Sequence, residues 1–228
     1  HQDENSTTQA AFGYIEKDFG AYRFYVNTDA ASRESTSQRH AYGIHQHRFA
    51  SGGQIEASLN WRNHFDTFKY LPTSLTKSEH ETEALQSRLT FSKGSFSTGL
   101  EYNQEDMDSN RDGRQGRHFA SAFINYKQHL GSNINLTGNL SYLNYDSQDD
   151  FVLPVIGIDA LISENVEVYA NAGQSVRTPT LNDLYLSMPS DMGSPDLDLE
   201  KTNSAEVGVR LNSTDVNISA SVFYKETD

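Results

Sequence analysis

Residues 134–145 read INLTGNLSYLNY. Ile134, Leu136, Leu140 and Tyr142 share one face with Gly138, while Asn135, Thr137, Asn139 and Ser141 take the other. A period of two is the spacing of a strand with one apolar and one polar side. The scheme recurs on both sides of this segment. Val166, Val168, Ala170 and Ala172 oppose Glu167, Tyr169, Asn171 and Gly173. Val216, Ile218, Ala220, Val222 and Tyr224 oppose Asn217, Ser219, Ser221, Phe223 and Lys225. Ile55, Ala57, Leu59 and Trp61 oppose Glu56, Ser58, Asn60 and Arg62, and Phe96, Leu100 and Tyr102 oppose Ser95, Ser97, Gly99 and Glu101. Helical spacing is nearly absent, so the chain is all-β.

The pattern predicts about twelve strands, at 8–16, 20–28, 39–49, 54–64, 82–92, 95–104, 117–128, 133–145, 152–162, 165–176, 200–211 and 215–226. Faces are ambiguous in 8–16, and in 117–128 Phe119 and Phe123 oppose Ile124 and Tyr126. Strands of about nine to twelve residues exceed the globular mode of roughly five or six and suit a tilted bilayer crossing. The connections alternate. Short turns at 17–20, 50–53, 93–95, 129–133, 163–165 and 212–215 separate longer polar loops at 29–38, 65–81, 105–116, 147–150 and 177–199. Tight periplasmic turns alternating with long outer loops are the rhythm of an antiparallel up-and-down transmembrane β-barrel. A Greek-key sandwich has no reason to keep it.

A barrel in lipid also constrains polarity, because Lys or Arg at mid-bilayer on the outer face costs about 2–4 kcal/mol. With the apolar set outward, Glu56, Arg62 and Arg88 point inward, and Trp61, Tyr102, Tyr126, Tyr142 and Tyr224 become candidates for interfacial girdles.

Composition removes other classes. The 228 residues carry 18 Lys+Arg against 31 Asp+Glu, a formal charge of −13, which argues against nucleic-acid binding. The absence of cysteine excludes disulfides and thiolate chemistry. A mean hydropathy of −0.67 suits a soluble or disordered chain, but 12 Tyr and 12 Phe argue against disorder. The opening HQDENSTTQ lacks a signal peptide's basic start and apolar core, which leaves a cytosolic chain or a mature or truncated piece.

Two patterns suggest metals. His45 and His47 leave one face of strand 39–49, the less apolar one, and are expected in the lumen, with no third ligand in view. DSNRDG at 108–113 matches the opening of a calcium loop, with Asp108, Asn110 and Asp112 as oxygen ligands, but Phe119 stands where the bidentate Glu belongs. No nucleophile elbow, zinc-protease helix or phosphate loop is present, so no catalytic residues emerge and the protein is read as a non-enzyme.

The most specific spelling lies in 177–208, RTPTLNDLYLSMPSDMGSPDLDLEKTNSAEVG. Arg177, Pro179, Thr180, Asp183, Leu184 and Tyr185 form its first part, Gly193, Pro195, Leu197 and Glu200 its second, and Glu206 and Gly208 its third. In these positions the chain resembles the TonB-dependent outer-membrane receptors of the vitamin B12 and siderophore type. Ser194, Leu199 and Ala205 depart from the family's usual Asn, Pro and aromatic. The resemblance implies a barrel of about 22 strands around an N-terminal plug, in the outer membrane of a Gram-negative bacterium. It implies active uptake of a ferric siderophore, cobalamin or similar metal chelate, with TonB as partner through the plug. With about twelve strands and neither plug nor C-terminal aromatic strand, residues 1–228 are expected to be an internal barrel piece with two unpaired edges. Ligand contacts are expected from loops 65–81, 105–116 and 177–199, and Arg177 is expected opposite Glu200 at the loop base. A complete 12-stranded passive porin or outer-membrane enzyme barrel, and a soluble β-rich binding module, are the alternatives.

Overall fold

The computed structural model describes residues 5–22, 31–73, 75–145, 149–188, 191–214 and 216–228. Nine consecutive strands come first: β1 (Ser6–Gly20), β2 (Arg33–Arg48), β3 (Gly53–Lys69), β4 (Ser78–Lys93), β5 (Phe96–Ser109), β6 (Gly113–Leu130), β7 (Ile134–Tyr145), β8 (Phe151–Ser163) and β9 (Val166–Arg177). A short helix α1 (Leu181–Tyr185) and a small ladder of β10 (Ser187–Met188) with β11 (Asp191–Met192) follow. β12 (Glu200–Asn212) and β13 (Asn217–Thr227) complete the chain.

Every long strand pairs antiparallel with its neighbour in sequence, giving one 11-stranded sheet that runs from β1 to β9 and on through β12 to β13. Tight connections are possible because glycine takes left-handed backbone at little cost: Gly52 has φ 80° in 49–52 and Gly94 has φ 58° in 94–95.

Register assigns the faces. Thr8, His45, Ala57, Leu89, Leu100, Ala122, Tyr142 and Val152 stand in one cross-strand row. This face carries the apolar set, and it is open: Phe12 is 70% exposed, Leu100 61% and Ile156 64%. Among the described residues no second layer covers it, and such a surface is tolerable only against lipid. The opposite face is polar. There Arg88 lies 3.9 Å from Glu101 and 4.7 Å over the Phe123 ring. Glu56 and Arg62 share this inner side, whereas Trp61, Tyr102, Tyr126, Tyr142 and Tyr224 belong to the outer face.

Several expectations change. The predicted turn at 17–20 is strand, because β1 pairs with β2 as far as Gly20↔Arg33. Most of predicted strand 20–28 lies outside the described residues. Among the described residues the sheet has eleven long strands, with the turn rhythm in the same phase. Strands are also longer than nine to twelve residues: β3 has 17 and β6 has 18. Loops 65–81 and 105–116 contract to 70–77 and 110–112. Polar residues on both faces read as loop, yet backbone ladders do not require apolar side chains. On β4 the outer face passes from Phe91, Leu89 and Leu85 to Glu83, Glu81 and Glu79. Charged residues there can only face water or headgroups, so the sheet rises past the lipid on the long-loop side.

His45 and His47 also move. They stand on the outer face near the short turn at 49–52, not in the lumen. The His45 ring bonds Thr8 Oγ1 at 2.8 Å and the His47 ring bonds Ser6 Oγ at 2.8 Å. Local polarity around Ala41 and Gly43 misled the face assignment, which the neighbouring strands decide.

Candidate functional site

The inner face near the long-loop rim, roofed by 178–199, is where the polar groups converge. β9 ends at Arg177, and Pro179 has no N–H with which to continue a ladder. Thr180 then caps α1. Its Oγ1 accepts from the Asp183 N–H at 3.1 Å, and Asp183 Oδ2 accepts from the Thr180 N–H at 2.8 Å, a reciprocal capping box. Hydrogen bonding to the Asp183 carboxyl, from the Thr180 backbone N–H first and the Thr180 hydroxyl second, holds it below the usual carboxylate range. Leu181 is buried beneath the turn, while Leu184 and Tyr185 complete it.

The returning leg locks onto this helix. The Gly193 N–H donates to the Leu186 carbonyl at 2.7 Å and the Ser194 N–H to the Asp183 carbonyl at 2.9 Å. A Cβ on Gly193 would stand 2.6 Å from the Leu184 carbonyl carbon and 2.7 Å from the Tyr185 nitrogen, so only glycine fits. Pro195 and Leu197 lead on to Glu200, which lies opposite Arg177 in register. The Arg177 Nε donates to Glu200 Oε2 at 2.8 Å, and Nη2 donates to Oε1. Both side chains are exposed, so solvent screens the pair.

The third part of the motif belongs elsewhere, on the inner wall away from the loop. Tyr169 donates to Glu206 Oε1 at 2.9 Å, and Gly208, directly opposite, leaves room for its ring. The Arg210 guanidinium lies 4.1 Å over the same ring and bonds Glu167. One contiguous spelling thus serves two separate structures.

Sequence reasoning missed the residues that dock the loop. Arg117 donates to the Pro179 carbonyl and, from Nε, to Glu105 Oε2 at 2.9 Å. Tyr145 Oη bonds Thr178 Oγ1. Arg111 Nε donates to the Ser187 carbonyl at 2.7 Å, and Asp112 Oδ1 accepts the Ser187 N–H at 2.9 Å. These partners lie far apart in sequence, and only the mixed polarity of 105–117 hinted at them.

The three residues of the calcium pattern are directed apart. Asp108 accepts from Arg114 Nε at 2.7 Å on the outer face. Asn110 accepts from the Glu79 N–H at 3.0 Å and donates to the Lys77 carbonyl at 3.0 Å. Asp112 is committed to Ser187 and to the Ser109 hydroxyl at 3.2 Å. Among the described residues no group of three or more His, Asp or Glu stands ready to hold a metal ion.

Below the loop, Gln38, His40, Asn60, Arg62, Gln86 and Asn103 help line a wet luminal concavity of about 530 Å³. A polar inner wall, an uncovered apolar outer wall and a loop folded over the rim describe part of a lipid-embedded barrel. A profile described as "TonB dependent receptor-like, beta-barrel" matches residues 2–228. The chain belongs to that family.

TonB-dependent receptor barrels are outer-membrane proteins of Gram-negative bacteria and are transport receptors, not enzymes. Solved structures share the fold. The siderophore receptor PirA from Pseudomonas aeruginosa matches with a TM-score of 0.79 at 12% identity, over 100% of this chain and 44% of its own. The ferric-catecholate import receptor Fiu from E. coli K12 gives 0.74 at 12% identity, over 98% of this chain and 49% of its own. The hemophore receptor HasR of Serratia marcescens, solved with its hemophore HasA and heme, gives 0.74 at 16% identity, over 96% and 43%. This chain therefore spans less than half the length of each of these receptors. A search of curated protein sequences found no significant match.

Proposed function

We propose that the full-length protein is a TonB-coupled outer-membrane receptor for active uptake of a scarce nutrient, presented as a ferric siderophore, cobalamin or similar metal chelate. The observation that carries this reading is the pairing of a polar inner wall with a loop docked over its rim, in a chain of the receptor family. A wall of hydrogen-bonding groups lets a polar chelate pass, and a structured loop above it supplies a recognition surface. The ligands named for PirA, Fiu and HasR support the substrate class. Ligand contact by the loop is assigned in this reading to the neighbourhood of Tyr185 and Gly193. TonB engages the receptor through a plug domain, and its energy input separates this reading from a passive porin.

Uptake of labelled ferric siderophore and labelled cobalamin should be measured in strains lacking the receptor, TonB or both. Accumulation of one of these ligands is expected to fall on loss of either protein, with no further fall in the double deletion. Uptake that needs the receptor but persists without TonB would make it a passive channel. Uptake of both ligands indifferent to the receptor would remove the substrate class.

A further inference from the structure

The outer wall changes character from one end to the other. Toward the long loops, β4 and β5 turn Glu79, Glu81, Glu83, Asp106 and Asp108 outward. Toward the short turns, residues 41–47 of β2, 53–59 of β3, 85–93 of β4 and 96–102 of β5 carry no outward carboxylate. The outward basic side chains in these stretches are His45, His47 and Lys93, and register gathers them. Lys93 pairs with Gly53, and Ile55 stands between His47 and Phe91. The Phe49 and Phe91 rings lie over Gly53, because a Cβ there would come within 3.1 Å of Phe91 and 3.6 Å of Phe49. The His47 ring meets Phe49 edge-on at 4.9 Å. Hydroxyls of Ser6 and Thr8 engage Nδ1 of His47 and His45, which leaves Nε2 as each ring's remaining hydrogen-bonding atom. Beside this cluster an apolar groove of about 420 Å³ crosses the same face from Ile55 on β3 to Val152 on β8. Leu89, Phe91, Leu100 and Ile124 help wall it, over the small side chain of Ala122.

We propose that this end of the outer wall binds one anionic glycerophospholipid of the periplasmic leaflet, with its phosphodiester against Lys93 and His47 and an acyl chain in the groove. Short turns face the periplasm, and aromatic rings on the outer face stand at the headgroup level. Lys93 can lay its methylenes along the apolar wall and keep its ammonium among the headgroups. An ammonium and an imidazole N–H are donors, and a phosphodiester offers charged acceptors and no donor. The chain as a whole, at −13, repels a phosphate, so retention at this place needs a local basic spot without carboxylates. A zwitterionic headgroup fits less well, because its ammonium meets no outward carboxylate in these stretches. The groove falls within the range of about 300–1,000 Å³ usual for bound small molecules. The inference depends only on the lipid-facing wall and goes beyond the uptake reading above.

The test uses the full-length receptor, stripped of lipid in detergent micelles and titrated with palmitoyl-oleoyl phosphatidylglycerol. Phosphatidylethanolamine with the same chains and free glycerol phosphate are the comparison probes, and bound molecules are counted by native mass spectrometry. Phosphatidylglycerol is expected to bind saturably and more tightly than phosphatidylethanolamine, and glycerol phosphate not at all. The double variant Lys93→Gln/His47→Gln should weaken phosphatidylglycerol binding by about tenfold or more. Ala122→Trp, which fills the groove without changing charge, should weaken it as well. Lys127→Gln removes a cation from the inner wall near the short turns and should leave binding unchanged. Heat-modifiable gel mobility checks that each variant is folded. Equal affinity for the two lipids, full affinity in either site variant, or an equal loss in Lys127→Gln overturns the proposal. Displacement of the lipid by equimolar glycerol phosphate also overturns it, in favour of a site for soluble phosphate. The uptake assay is independent: missing lipid binding leaves receptor-dependent uptake standing, and missing uptake leaves lipid binding standing.

Discussion

The hairpin at 110–112 and the connection at 178–199 meet at the rim of the sheet, but they solve the backbone problem in opposite ways. β5 and β6 stay paired down to Ser109↔Gly113, and the three N–H groups of the turn find partners close by: Asn110 donates to the Glu79 carbonyl, and Arg111 and Asp112 donate to the Ser109 hydroxyl. Its side chains Arg111 and Asp112 are left to bind something else. In the connection, Pro179 ends the ladder, and the chain must find other partners. It finds them in the Thr180–Asp183 capping box, a ladder of two residue pairs, and the Ser187 amide and carbonyl offered to Asp112 and Arg111. The rigid hairpin gives side chains; the loop gives backbone. The order of the loop is therefore partly borrowed from the hairpin, and this dependence can be broken from either side.

The largest effect is expected from Gly193→Val. The new Cβ meets backbone atoms that no rotamer change can move aside, so the loop fold should lose about 3 kcal/mol or more. Limited proteolysis of the assembled receptor should then cut within 181–199 while the strands stay protected. Wild-type cleavage kinetics in this variant would show that the loop does not need the close approach.

Asp112→Ala attacks from the hairpin. The Asp112 side chain is 2% exposed, and removing it strands the Ser187 N–H. Loss of a hydrogen bond to a charged acceptor costs about 1.5–3 kcal/mol. Hydrogen exchange at Ser187 should speed up by roughly 10- to 100-fold, with little change in β5 and β6. An unchanged rate would mean that the loop holds itself.

Thr180→Ala acts within the loop alone and should cost about 1 kcal/mol, read as faster exchange at the Asp183 amide. The same cap carries a pH signature. The folded-state carboxyl of Asp183 lies below its ordinary value, so its stabilising contribution is present at neutral pH and is lost as pH falls through the depressed pKa. Acidification should loosen α1, and Asp183→Asn should abolish that dependence. An Asp183→Asn receptor that loosens in acid as the wild type does would assign the effect to another group.

The smallest effect is expected at Arg177 and Glu200. Their pair closes the base of the connection, but both ends are exposed, and such pairs contribute little after screening. A double-mutant cycle on loop protection should show slight coupling that fades at high salt. Strict additivity at low salt would demote the pair to a coincidence of register.

The two regions also mark how far the residues could be read in order. Period-two alternation such as that of 134–145 identified both faces of most strands, because register carries each side chain to one side of the sheet. The turn rhythm indicated the barrel class and set 177–199 among the long connections. Local reading failed where the answer lay across the sheet. Residues 105–116 are polar on both faces and resemble a loop, yet pairs such as Arg117 with Glu105 accompany an unbroken ladder. His45 and His47 sit among small residues, and only the row through Ala57 and Leu89 places them outside.

By itself the sequence determined an all-β chain with a lipid-facing and a wet side, and it spelled the family. Those properties follow from alternation and from backbone restrictions at proline and glycine, which act between near neighbours. Tertiary structure alone decided that hairpin 110–112 receives the connection and that His47, Phe91 and Lys93 share one end of the outer wall. Such contacts join residues from different strands, and no local pattern encodes which distant partner will satisfy a buried polar group.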